Sequence, residues 1–76
     1  MAISESDLLA FLGQQLRRKE IGVDAAMGKT PGWDSMAQVD LILALELRFG
    51  VQVPPDMFGQ LTDVPALLGF LREGVA

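Results

Sequence analysis

The 76-residue chain contains no cysteine and no histidine. Without cysteine no disulfide can staple the fold, and the chain supplies no thiol of its own. Without histidine it lacks the commonest metal ligand and the commonest general base, and a Ser-His-Asp triad is excluded. Long hydrophobic runs are missing too. Leu41 to Leu45, a run that none exceeds, falls far short of a membrane span. The N-terminus has no basic start, apolar core and cleavage site of the signal-peptide kind. The expectation is a cytoplasmic protein that neither enters nor crosses a membrane. Positive charge is scarce, with 6 Lys and Arg against 10 Asp and Glu. The resulting net charge of −4 argues against a nucleic-acid partner and suits steering toward basic protein surfaces.

What the chain does have is apolar side chains, 50% of its residues, with a mean hydropathy of +0.33. Its length makes one domain over residues 1–76, expected to be a monomer. A domain of this size buries only about 60% of the surface its unfolded chain exposes. Some apolar surface therefore stays outside, where contiguous patches mark partner sites. No internal repeat or low-complexity segment is visible. No stretch alternates like a strand except Val51-Gln52-Val53, which is too short to count.

The periodicity predicts an all-α fold, a small bundle of three main helices plus one short one. The first helix starts near Ser4, with Asp7 as capping-box partner, and carries Leu8, Leu9, Phe11, Leu12 and Leu16 at helical spacing. Arg17-Arg18-Lys19 fits its C-terminal end as a solvated basic run. Residues 21–33 form a connection broken by Gly22, Gly28, Pro31 and Gly32, with Ile21, Val23 and Met27 tucked beneath it. The second helix runs from about Ser35 to Phe49 and stops at Gly50. Pro54-Pro55-Asp56 opens the short helix holding Met57 and Phe58, the latter packing inward or capping the bundle. Asp63 caps the last helix, with Pro65 in its first turn. Val64, Leu67, Leu68 and Leu71 make that helix's apolar stripe.

The second helix is more apolar than one core face requires. At about 100° per residue, Leu41, Ile42, Leu45 and Phe49 share one arc. Met36, Val39, Leu43 and Leu47 share a neighbouring arc with Asp40 and Glu46. One reading makes this a single wide core face. The other makes the second stripe a docking face beside Ser35, rimmed by Asp40 and Glu46, with Met57 a further apolar contact.

Ser35 stands at the start of that helix. As an enzymatic nucleophile it needs a base, and Asp34 alone is a poor one. Two readings remain: a plain N-cap, or a substrate, since an exposed helix N-terminus offers free N–H groups to a phosphate. Trp33 beside it is either a loop anchor or a contact for a bound group.

Asp34-Ser35-Met36, the helix to Phe49-Gly50, the Val51-Gln52-Val53-Pro54 turn and the Thr62-Asp63-Val64 helix start together resemble the carrier proteins of fatty acid, polyketide and nonribosomal peptide synthesis. The resemblance covers about Trp33 to Leu71, and the N-terminal part is compatible with it. It implies a free-standing carrier without catalytic or metal-ligating residues. Its cofactor would be 4′-phosphopantetheine, esterified to Ser35 from coenzyme A by a phosphopantetheinyl transferase and ending in the thiol that the chain itself lacks. Asp34 would contact that transferase or its metal. The implied partners are an acyl- or aminoacyl-loading ligase, adenylation enzyme or synthase, and downstream acyl-processing enzymes. They would dock on Met36, Val39, Asp40, Leu43 and Glu46, with Leu47 and Met57 enlarging the apolar part. The bacterial fatty-acid pattern is acidic where Leu47 and Arg48 stand, and around Met57 and Phe58. A free-standing carrier dedicated to one pathway, aminoacyl and D-alanyl carriers included, is thus at least as close a match. The alternative from another class is an unmodified helical adaptor that uses the same stripe for one stable partner.

Overall fold

Ser4 opens the first helix: its hydroxyl accepts the Asp7 N–H at 3.1 Å, which satisfies one of the donors a helix start leaves over. In the computed structural model, which describes residues 4–74, helix α1 then runs over Glu5–Gln15 and buries Leu8, Phe11 and Leu12. The outermost residues of the expected 1–76 domain lie outside the described residues. Past Leu16 the chain turns through Arg17 at φ 56°, and Arg18 N–H reaches back to the Gly13 carbonyl at 2.8 Å. This is a helix stop in which glycine is the usual residue. The basic run Arg17-Arg18-Lys19 consequently lies just beyond α1, exposed.

The connection to the next helix is a series of hydrogen-bonded turns. Ala25 N–H bonds the Gly22 carbonyl at 3.1 Å, and Thr30 N–H the Ala26 carbonyl at 2.8 Å. Ala25 takes a buried position in this loop, Ile21 and Met27 are half-buried against the core, and Val23 is 50% exposed. The expectation that Val23 tucks beneath the loop is thereby corrected. The Gly22–Ala25 turn points Ala25 inward in its place. An antiparallel bridge, Ala26 to Asp63, ties the loop to the start of the last helix. Its bonds are Met27 N–H to the Thr62 carbonyl at 2.8 Å and Val64 N–H to the Ala25 carbonyl at 3.3 Å.

Helix α2 spans Ser35–Phe49 and ends at Gly50, whose φ of 67° is the left-handed conformation that suits glycine. A 3-10 turn follows over Pro55–Met57, flanked by buried Val51, Val53 and Leu61. Helix α3, Val64–Gly74, is capped by Asp63, whose Oδ1 accepts the Ala66 N–H at 2.9 Å. It buries the expected Val64, Leu67, Leu68 and Leu71. The architecture is thus the expected all-α bundle of three main helices and one short one.

Helix α1 packs against both α2 and α3. Leu8 and Leu12 from α1, Leu41, Ile42 and Leu45 from α2, and Leu67 and Leu71 from α3 meet in one core with none of their surface exposed. The Phe11 and Phe49 rings close one end edge to face, with centroids 5.7 Å apart, and the Arg48 guanidinium lies 5.5 Å over Phe49. Phe58 is half-buried against the same core, as expected.

Candidate functional site

The site is assembled from the loop upward. Trp33 N–H bonds the Thr30 carbonyl at 3.0 Å, and the Trp33 carbonyl accepts the Gly28 N–H at 2.8 Å. Gly28 and Gly32 take positive φ values of 84° and 89° to make these turns. The Trp33 ring points into the core and is 1% exposed. Of its two readings the loop anchor is the observed one. Its Nε1–H donates to Gln38 Oε1 at 2.6 Å, and the Gln38 amide donates in turn to the carbonyls of Phe58 at 2.9 Å and Leu61 at 2.7 Å.

Asp34, in extended conformation, is the N-cap of α2. Its Oδ1 accepts the Ala37 N–H at 2.8 Å and its carbonyl the Gln38 N–H at 2.9 Å. Ser35 is therefore not the cap but the first helical residue, one position inside it. It is exposed, and among the described residues its hydroxyl makes no hydrogen bond. The N–H groups of Ser35 and Met36 also meet no acceptor among the described residues. A helix start whose first two N–H groups and neighbouring hydroxyl have no partner among the described residues is suited to an esterified phosphate.

Along α2 the two arcs separate as expected. Leu41, Ile42 and Leu45 are buried, whereas Met36 is 81%, Val39 47%, Leu43 49% and Leu47 88% exposed. The stripe is therefore surface, and the reading of one wide core face is set aside. Asp40 lies exposed beside it. Glu46 is half-buried, and its Oε2 accepts the Val53 N–H at 2.7 Å. It also borders an open depression of about 520 Å³ formed by Leu43, Leu47, Val51 and Gln52. Met57 stands apart, half-buried on the connection and lining a depression with Ala66 and Phe70 of α3. Among the described residues no cluster of three or more acidic side chains could hold a metal ion, and no helix is long and apolar enough to cross a membrane.

The sequence reading missed Gln38. The signal for it was present: a polar residue on the same inward arc as Leu41, Ile42 and Leu45 has to find buried partners.

Residues 6–71 match the family described as the phosphopantetheine attachment site. An acyl carrier protein of Streptomyces coelicolor is 37% identical over 70 residues, 92% of this chain and 76% of its own length. An acyl carrier protein of Helicobacter pylori is 31% identical over 75 residues, 96% of this chain and 95% of its own. The chain belongs to the acyl carrier protein family, whose members hold a covalent 4′-phosphopantetheine group and act as carriers rather than catalysts. Phosphopantetheinyl transferases and acyl-processing enzymes are the general partners of that family. The family finding thus favours a phosphopantetheine-bearing carrier over an unmodified adaptor. The spare hydroxyl and N–H groups at the start of α2 fit such a group.

Proposed function

We propose that Ser35 carries the 4′-phosphopantetheine arm and that residues 1–76 form one carrier domain presenting acyl or aminoacyl thioesters to a succession of enzymes. One observation carries this reading. Asp34 does the capping, and among the described residues the exposed Ser35 hydroxyl has no hydrogen-bond partner. Bound there, the arm supplies the thiol that forms thioesters. The chain's own residues do the rest. The turns closing on Trp33 hold the helix start at the surface. The Ser35 and Met36 N–H groups, without acceptors among the described residues, are available to a phosphate ester on Ser35. In this reading the transferase supplies the base and metal for attachment, and the chain itself has no histidine to act as a base on Ser35.

The docking surface in this reading is the exposed stripe Met36, Val39, Leu43 and Leu47, with Asp34 and Asp40 as its acidic rim. Glu46 contributes the carboxylate oxygen not engaged by Val53, and Met57 what its half-buried side chain leaves outside. Leu47 at 88% exposure supports a face more apolar than acidic, which fits loading enzymes of a dedicated pathway, such as an aminoacyl-adenylating ligase. Carriers meet several enzymes in turn, so a modest patch that binds each weakly is sufficient.

Incubation with coenzyme A, Mg²⁺ and a broad-specificity phosphopantetheinyl transferase, followed by intact-protein mass measurement, tests the Ser35 assignment. The expected result is one phosphopantetheine on the wild-type chain and none on Ser35→Ala. Uptake by Ser35→Ala, or none by the folded wild type with transferases of more than one type, would contradict it.

A further inference from the structure

We infer that Gln38 is a positioning residue for Ser35, acting through Trp33, and that it holds the helix start and the α2–α3 connection in one fixed geometry. The inference rests on the reading of Ser35 as the attachment residue. Gln38 is 3% exposed and is the one buried polar side chain among the described residues. Its amide oxygen and amide nitrogen are both engaged with the loop and the connection. The amide oxygen takes the Trp33 Nε1–H, and the amide nitrogen gives its bonds to the carbonyls of Phe58 and Leu61, 20 and 23 residues further along.

Three elements therefore converge on one amide one turn below Ser35. The loop before the serine is held through the Trp33 ring, the helix through Gln38 itself, and the connection through two carbonyls. Trp33 is also fixed by its backbone bonds to Thr30 and Gly28, and Asp34 by its bond to Ala37. The backbone on the N-terminal side of Ser35 has little freedom left. An apolar residue at position 38 would fill the space but specify no register between these parts. A fully satisfied buried amide specifies one. Its removal leaves the Trp33 N–H and two carbonyls without partners, an arrangement that relaxes by movement of the loop or the connection.

Such a shift misplaces the hydroxyl while Val39, Leu43 and Leu47, further along α2, keep their side chains. Its signature in transferase kinetics, with the carrier as the varied substrate, is a fall in kcat at unchanged KM. A purely structural role gives the opposite pattern, since a partly unfolded carrier only dilutes the competent form and raises the apparent KM. The test measures both constants for wild type, Gln38→Leu and Trp33→Phe, at a temperature where each retains wild-type helical content. Trp33→Phe keeps most of the ring volume and deletes the N–H.

The expected result is a fall in kcat of about 10- to 100-fold for both variants, the range that a misplacement on the order of 1 Å produces. Unchanged kcat in both folded variants, with or without a raised KM, would overturn the inference. Should Gln38→Leu fail to fold, Trp33→Phe alone decides by the same criterion. A wild-type chain that takes up no phosphopantetheine, or a Ser35→Ala chain that does, would instead overturn the Ser35 reading and this inference with it.

Discussion

Glu46 Oε2 accepts the Val53 N–H at 2.7 Å, a bond from the last turns of α2 to the segment that leaves it. The Glu46 carbonyl also accepts the Gly50 and Val51 N–H groups, at 2.9 and 3.3 Å. One residue thus holds the turn from both its backbone and its side chain. Val51 and Val53 are consequently drawn into the core while Gln52 between them stays exposed.

Replacing Glu46 by Ala should therefore act on stability as well as on docking. Loss of a charge-assisted bond to a backbone N–H costs about 1.5–3 kcal/mol. Asp40→Ala, on an exposed acid, should stay within about 0.5 kcal/mol of wild type. Urea denaturation of the two variants side by side measures the difference.

Asp34 and Ser35 should separate in the same way. Asp34→Ala removes the cap of α2 and should cost about 1 kcal/mol, with Asp34→Ser largely restoring it. Ser35→Ala should change stability by no more than about 0.5 kcal/mol while abolishing phosphopantetheine uptake. Denaturation midpoints and intact mass on the same samples check both halves. A large loss of stability in Ser35→Ala would show that its hydroxyl has a structural partner.

Much of this was legible beforehand because it is local. The arc of Leu41, Ile42 and Leu45 against that of Met36, Val39, Leu43 and Leu47 follows from helical periodicity alone. The Ser4, Asp63 and Gly50 caps follow from the chemistry of helix ends. What escaped is of two kinds. Whether Asp34 or Ser35 caps α2 is a one-residue question that composition does not decide, since both types cap well. The Gln38 network and the Glu46–Val53 bond depend on partners brought near by the tertiary fold, and residues such as Phe58 and Leu61 contribute only backbone carbonyls. Val23 escaped because an apolar residue in a turn has no periodicity to say which side it takes.

Two turn residues should respond to substitution in opposite directions. Arg17 holds φ 56° with a side chain that disfavours it. Arg17→Gly should raise stability by about 0.5–1 kcal/mol, after allowance for the added freedom of the unfolded chain. Gly50 holds φ 67°, and a Cβ there would meet nothing within 4 Å. Gly50→Ala should thus lose about 1 kcal/mol from backbone strain alone. Thermal unfolding of both variants reads the two signs.

On α2, neighbouring leucines should behave differently. Leu45 is fully buried, and Leu45→Ala should cost about 2–5 kcal/mol. Leu43 is 49% exposed, and Leu43→Glu should keep the helical content while raising the KM of a cognate loading enzyme. Circular dichroism together with loading kinetics distinguishes the two. Unfolding of Leu43→Glu would return the stripe to the core.

Trp33 is the chain's one tryptophan, and there is no tyrosine. Near-ultraviolet absorbance and emission therefore come almost entirely from a single indole, sealed in the core two residues before Ser35. The molecule carries its own optical probe at the base of the serine loop. Its emission maximum, blue-shifted by burial, and its resistance to a quencher such as acrylamide can follow that loop through modification, loading and docking without any label.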